Sequence, residues 1–220
     1  MLDRVAKLRG LYVITDGAVG TALLQKVEQA LQGGAAIVQY RDKSTDAPRR
    51  YQEASALRAL CQQYHALLVV NDDVALAQAV QADGVHVGKD DAALLAARAV
   101  LGAAAIIGVS CYNRLDLAVH AQQQGADYVA FGSFFPSPTK PDAPRATLAL
   151  LVQARQQLPH TPICSIGGIT LDNSQALVDA GADMLAVITD VFQQPDITAR
   201  ARQYQARYST CHSAEYPSHL

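Results

Sequence analysis

The sequence predicts an α/β fold, a single (β/α)8 TIM barrel, from three observations. Short apolar runs of strand length alternate with longer segments whose apolar residues recur at helical spacing. Expected strands cover 11–15, 35–40, 66–70, 84–87, 105–109, 127–131, 162–166 and 184–188. They are followed in turn by expected helices over 21–32, 47–64, 74–80, 92–101, 115–124, 147–158, 173–180 and 197–208. The phrases Gly33-Gly34-Ala35, Gly125-Ala126-Asp127 and Gly181-Ala182-Asp183 mark one recurring joint, where a helix stops on glycine and a strand starts. Finally, 220 residues, half of them hydrophobic, suit one barrel with a large core. An open doubly wound sheet is the structural alternative, because local pattern does not show closure. The expected domain runs over 1–208, and 209–220, mixed in Ser, Thr, His and Pro without periodicity, reads as a loose tail.

A formal charge of -2 supplies no bulk attraction to nucleic acid or an anionic membrane, so any anion site must be local. Cys61, Cys111, Cys164 and Cys211 lie far apart without a CxxC pair, as reduced thiols of a cytoplasmic protein would. Neither a signal-peptide core nor an apolar run of bilayer length is expected. Small-molecule substrates are therefore the expected partners, and assembly into a homo-oligomer is left open.

A barrel delivers chemistry at the carboxyl ends of its strands. After the third expected strand stand Asn71, Asp72 and Asp73, and after the fourth Lys89, Asp90 and Asp91. Asp72 and Asp91 then share a rim, and with Asn71 they resemble a corner for magnesium, which takes few protein carboxylates and completes its shell with water and phosphate oxygens. Helix capping competes for these acids, but a cap needs one acid and each site has two. After the second strand, alternation sends Gln39, Arg41 and Lys43 to one side of Gln39-Tyr40-Arg41-Asp42-Lys43. His86, between valines, reads as a hydrogen-bonded core residue, or one that supports the site from behind, rather than as a ligand. Ser110 follows the fifth strand as a hydroxyl donor, and Cys111 beside it reads as packing rather than as a nucleophile. The long loop after the sixth strand holds Phe134, Phe135, Ser137, Pro138, Thr139 and Lys140 and has the size of a lid or binding loop. Gly167-Gly168 before a helix start, with Ile188-Thr189 after the last strand, read as walls of a phosphate cup.

Taken together and in this order, Gln39 to Lys43, Asn71-Asp72, Gly84 to Gly88 with Asp91, Gly108-Val109-Ser110, Pro136 to Lys140 and Gly167 to Thr170 resemble the motif series of the thiamine phosphate synthase family. The resemblance runs from residue 11 to about residue 191. It implies condensation of 4-amino-5-hydroxymethyl-2-methylpyrimidine diphosphate with 4-methyl-5-(2-phosphoethyl)thiazole, or its carboxylated form, to give thiamine phosphate and pyrophosphate. It further implies that Gln39, Tyr40, Arg41, Asp42, Lys43, Asn71, Ser110 and Lys140 bind the pyrimidine diphosphate, with Arg41, Lys43, Ser110 and Lys140 catalytic. Asp72 and Asp91 would hold Mg2+, and Ser137, Pro138, Thr139, Gly168, Ile188 and Thr189 the thiazole phosphate. The chain departs from the family pattern at Lys89, Ser133, Ser137, Pro138 and Thr189; Lys89 adds a cation beside Asp91.

The expected chemistry is a dissociative loss of pyrophosphate from a methylene whose aminopyrimidine ring delocalises positive charge, with the thiazole nitrogen as nucleophile. No protein nucleophile is then needed, and cations and donors answer the charge growing on the leaving group. Rival expectations are a thiazole tautomerase of the related barrel type, a sugar-phosphate isomerase or epimerase, and a noncatalytic thiamine-precursor binding protein.

Overall fold

The computed structural model describes residues 7–136 and 145–209. Eight parallel strands follow one another in chain order and close into a barrel. They are β1 (Gly10–Ile14), β2 (Ile37–Tyr40), β3 (Leu67–Asn71), β4 (Gly84–Val87), β5 (Ile106–Tyr112), β6 (Tyr128–Phe131), β7 (Ile163–Ile166) and β8 (Met184–Val187). The helices are α1 (Gly20–Gln32), α2 (Ala47–Gln63), α3 (Val74–Ala79), α4 (Asp91–Leu101), α5 (Leu115–Gln123), α6 (Leu148–Gln157), α7 (Leu171–Asp179), α8 (Thr189–Phe192) and α9 (Ile197–Ser209). Closure excludes the open sheet, because β1 pairs with both β2 and β8. No helix among the described residues is long and apolar enough to cross a membrane.

The strands read as continuous apolar runs because both of their faces are buried. One face fills the barrel interior with Tyr12, Ile37, Val69, Ile106, Tyr128 and Met184. The other packs against the helices through residues such as Val13, Val38, Val70, Val85, Ile107 and Leu185. Local chemistry sets where three of the helices begin. Asp46, Asp73 and Thr147 accept the Arg49, Leu76 and Leu150 backbone N–H groups at 3.1, 2.9 and 3.1 Å, capping α2, α3 and α6 just past the strand ends.

At the opposite, amino-terminal end of the barrel one clamp recurs with every second strand. Asp83, Asp127 and Asp183 stand immediately before β4, β6 and β8. Each carboxylate accepts a backbone N–H of the preceding strand: Leu68 at 2.9 Å, Ile107 at 2.7 Å and Ile163 at 2.8 Å. The same oxygen takes an arginine from a helix two units back: Arg58 of α2 at 2.7 Å, Arg98 of α4 at 2.6 Å, and Arg155 of α6. In the remaining quarter Ala36 occupies the aspartate's place. There Gln205 of α9 reaches the Leu11 N–H directly, at 3.2 Å. The barrel is thus stitched in four two-strand quarters, and in each an acceptor satisfies a strand N–H that would otherwise be left unpaired.

Two elements differ from expectation. β5 runs three residues past 109, with an irregular register against β6 between Ser110 and Tyr112. Ser110 consequently lies within a strand, on the inward side with Gly108, rather than on a loop. The segment after β8, expected as a plain loop wall, forms the short helix α8. Of the expected tail, only Ser209, the last residue of α9, is among the described residues.

Candidate active site

The carboxyl rim of β2 and β3 holds an uneven distribution of charge. Arg49, in the first turn of α2, pairs with Asp42 at 2.8 Å and with the buried Glu53 at 3.2 Å. Burial alone would raise the Asp42 carboxyl, but the Ser44 N–H at 2.7 Å and the Arg49 guanidinium outweigh it and hold the group below the usual carboxylate range. Arg50, next along α2, pairs with Asp73 at 2.7 Å. Asp42 and Asp73 are therefore each held by an arginine of the scaffold, Arg49 being shared with Asp46 and Glu53. Asp72 is not: its one side-chain partner among the described residues is the Asn71 amide, at 2.7 Å. It is exposed and held at φ 60, a left-handed conformation uncommon for a residue other than glycine. Strain of that kind costs roughly 1 kcal/mol or more and persists where the surroundings impose it. The imposition here comes from the Asp72 N–H, which donates to the His86 carbonyl at 2.9 Å.

Arg41 and Lys43 are the complement, since neither forms an ion pair with any described residue. The backbone of Arg41 is fixed from β1: its N–H donates to Thr15 Oγ1 at 2.9 Å, and the Thr15 hydroxyl donates back to its carbonyl at 3.2 Å. Lys43, Asn71 and Asp72 line an open cleft of about 580 Å³ together with Asp42, Arg50 and Asp73, a volume within the range of small-molecule sites. Tyr40 faces the other way. Buried against the helices, its hydroxyl donates to Glu53 at 2.7 Å, and burial followed by that carboxylate raises its pKa.

Below the rim a chain of hydrogen bonds crosses the barrel interior. Gln39 Nε2 donates to the Tyr12 hydroxyl at 2.7 Å, and that hydroxyl meets the Tyr128 hydroxyl at 2.9 Å. Tyr128 meets His86 Nδ1 at 2.9 Å, and His86 Nε2 meets Ser110 Oγ at 2.8 Å. Gly108 makes room for it, since a Cβ there would stand 1.9 Å from Tyr128 Cζ. Burial pushes the His86 pKa down to about 4, the charge of Asp72 opposing it. Both ring nitrogens of His86 are engaged by protein hydroxyls, so it is a hydrogen-bonded interior-facing residue. Cys111 lies on the helix side of β5, and burial pushes its thiol up to about 12, which does not suit a nucleophile.

On the far side of the rim, the loop after β6 lies on β7. Phe134 and Phe135 donate through their backbone N–H groups to the Ile166 and Gly167 carbonyls at 3.2 and 3.0 Å. This contact requires the glycine pair, because a Cβ on Gly167 or Gly168 would strike Ser133 Oγ at 2.1 Å or the Pro136 carbonyl at 2.4 Å. The Gly168 N–H has no acceptor among the described residues. Asp190, in α8, accepts from the Leu171 N–H at 3.1 Å and from the Tyr204 hydroxyl at 2.6 Å, which fixes Ile188 and Thr189 against the start of α7.

The structure thus gathers Gln39, Arg41, Lys43, Asn71, Asp72 and Ser110 at or inside one end of the barrel, with Gly168, Ile188 and Thr189 across from them. Tyr40 and Asp42 have scaffold partners in Glu53 and Arg49, and Asp42 also lines the cleft. Ser137, Pro138, Thr139 and Lys140 lie outside the described residues, as does the Asp91 side chain, whose backbone opens α4. Among the described residues no three His, Cys, Asp or Glu side chains are grouped to hold a metal ion by themselves. Thr15, Tyr12 and Tyr128 were missed in the sequence, because each acts through a partner on a distant strand. Only the polar residue ending an apolar strand, as Thr15 does, offered a signal.

The thiamine monophosphate synthase family matches residues 11–191. The thiamine-phosphate synthase of Thioalkalivibrio sulfidiphilus is 53% identical over 210 residues, covering 94% of this chain and 99% of the relative. That of Azoarcus sp. is 54% identical over 204 residues, covering 92% of this chain and 98% of the relative. Among solved structures, thiamine phosphate pyrophosphorylase from Pyrococcus furiosus superposes with a TM-score of 0.84 at 34% identity, covering 94% of this chain and 98% of that one. By the span of the match and the level of identity, the chain belongs to the thiamine monophosphate synthase family.

Proposed function

We propose that this chain is a transferase of thiamine biosynthesis that joins 4-amino-5-hydroxymethyl-2-methylpyrimidine diphosphate to 4-methyl-5-(2-phosphoethyl)thiazole, plain or carboxylated, releasing pyrophosphate. One observation carries the proposal beyond the names of the relatives. The scaffold pairs Asp42 with Arg49 and Asp73 with Arg50, yet leaves Arg41, Lys43 and Asp72 without partners of opposite charge among the described residues. Unpaired cations beside an unpaired carboxylate suit a ligand that brings both anionic oxygens and a cation, as a metal-bound diphosphate does.

In this scheme Arg41, Lys43 and Ser110, with Lys140 from the β6 loop, donate to the diphosphate and answer the negative charge that grows as the carbon–oxygen bond to pyrophosphate breaks. Asn71 and Gln39 orient the pyrimidine. The resulting carbocation-like methylene is captured by the thiazole nitrogen, positioned through its phosphate by the backbone of Gly168, Ile188 and Thr189 and by Ser137, Pro138 and Thr139. Asp72 fits one arm of a magnesium site: it is exposed, carries no capping duty and keeps one carboxylate oxygen without a described partner. Asp91 would supply the other arm. Mg2+ bound there would neutralise charge on the leaving group. The same proposal locates the reaction in the cytoplasm.

Purified protein supplied with both substrates and Mg2+ is expected to form thiamine phosphate and pyrophosphate in equal amounts, and to stop when EDTA is added. Binding of both substrates without turnover would point instead to a precursor-binding protein. Conversion of the thiazole alone would point to a tautomerase.

A further inference from the structure

Five polar side chains from five strands, Gln39, Tyr12, Tyr128, His86 and Ser110, make one unbranched chain of hydrogen bonds, each link between 2.7 and 2.9 Å. Tyr12 and Tyr128 are fully buried, and with the Gln39 amide standing Nε2 toward Tyr12 the direction of every further link follows by counting hydrogens. The Tyr12 hydroxyl accepts from Gln39 Nε2. Its own hydrogen then has one described acceptor, the Tyr128 oxygen. The Tyr128 oxygen, already accepting, can place its hydrogen only on His86 Nδ1. A His86 with Nδ1 as acceptor is neutral and carries its hydrogen on Nε2, where it donates to Ser110 Oγ. A positively charged imidazole, or the other tautomer, would leave a phenol hydrogen buried without an acceptor, a penalty of about 1–3 kcal/mol. At the end of the chain the Ser110 hydrogen has no acceptor among the described residues.

We propose that these residues act as a polarised relay, in which Tyr12, Tyr128 and His86 are positioning residues that hold Ser110 as a hydrogen-bond donor to the substrate's diphosphate. The chemistry at the two ends agrees with this direction. Diphosphate oxygens only accept, so Ser110 serves them only if its hydrogen is turned outward. At the other end the relay engages the Gln39 Nε2 and leaves Oε1 as an acceptor, which suits the amino group of an aminopyrimidine. Reversing every link would present two donors to that amine and an acceptor to the diphosphate. A substrate carrying both groups therefore favours the polarity that the resting protein already has, and the relay is set before binding. Gly108 belongs to this arrangement, since any side chain there would displace the Tyr128 ring. The identity of the ligand rests on the function proposed above; the polarity of the relay does not.

The test separates the two. In substrate-free protein labelled with 15N-histidine, the His86 signal is identified as the one of the six histidines lost in His86→Gln. It is expected to report the Nε2–H tautomer in the wild type and a mixture of tautomers in Tyr128→Phe; Tyr12→Phe serves if that variant fails to fold. In turnover, Tyr128→Phe is expected to lower kcat roughly tenfold, less than outright removal of a charge-stabilising donor, with the KM for the thiazole phosphate unchanged. In a Ser110→Ala background the same change is expected to cost nothing further, as it must if Tyr128 acts through Ser110. An Nδ1–H or charged His86 in the wild type overturns the relay, and so do additive losses in the double variant. If no thiamine phosphate forms but the Nε2–H tautomer is found, the assigned function falls and the relay stands. If thiamine phosphate forms and the other tautomer is found, the relay alone falls.

Discussion

Arg50 closes on Asp73 at 2.7 Å and leaves the neighbouring carboxylate, Asp72, to the Asn71 amide. Two adjacent acids thereby carry different duties. Asp73 caps α3 and anchors α2, so Asp73→Ala is expected to cost about 1–2 kcal/mol of stability. Asp72 does neither, and its strained backbone at φ 60 is one that asparagine tolerates well. Asp72→Asn is accordingly expected to leave stability within about 0.5 kcal/mol of the wild type while lowering turnover by roughly a hundredfold or more. Denaturant melts and initial rates on both variants check this. Equal destabilisation by the two changes would remove the distinction.

The amino-terminal clamps make a separate prediction, one of stability without activity. Asp83 is nearly buried and is satisfied by the Leu68 N–H and Arg58. Arg58→Ala strands that carboxylate, and a loss of about 3 kcal/mol is expected. Gln205→Ala removes a single neutral hydrogen bond and should cost about 1 kcal/mol. Both variants are expected to keep the wild-type kcat per folded molecule, because the clamps lie at the end of the barrel away from the chemistry. A kcat that falls in step with stability would contradict that separation.

These contrasts indicate what could be read without coordinates. The eightfold alternation was legible because apolar periodicity is a local property. So was the inward direction of Gln39, because strand alternation is local too. The partner of each charge was not. Nothing in the order Asp42, Arg49, Arg50, Asp72, Asp73 says that Arg49 takes Asp42 and Arg50 takes Asp73. The clamp could have been found, since Ala82-Asp83, Ala126-Asp127 and Ala182-Asp183 repeat ahead of alternate strands. Its substitution by Gln205 could not, as that residue comes from the last helix and closes the first strand. The relay was least legible of all: Tyr12 and Tyr128 read as strand aromatics, and their hydroxyls meet only once the barrel has closed.

Gly108 carries its own prediction. Its absent side chain is space already filled by the Tyr128 ring, so Gly108→Ala places a methyl where an aromatic carbon stands 1.9 Å away. Such overpacking costs about 1–3 kcal/mol. The ring must also tilt, which lengthens the bond to His86. Stability is expected to fall together with kcat, whereas Gly88→Ala, with open space around it, should change little in packing. Thermal melts of the two alanine variants give the comparison, and equal melting temperatures would mean that the interior yields more readily than its packing implies.

His86 links the interior to pH. Burial holds its pKa down to about 4, against about 6.5 for histidine in an unfolded chain. Above pH 6.5 neither state is protonated and the residue contributes no pH dependence. As pH falls from 6.5 to 4 the unfolded chain binds a proton that the folded barrel refuses, so stability drops by up to about 3 kcal/mol. Below pH 4 both states are charged and the slope vanishes. The sign is therefore loss of stability on acidification, beginning before the carboxylates titrate. Urea melts of metal-free protein between pH 7.5 and 5 are expected to show a steeper decline for the wild type than for His86→Gln, by up to one proton. Parallel declines would mean that the imidazole accepts a proton in place, and a protonated Nδ1 there would force the Tyr128 hydroxyl to give up its donation to His86.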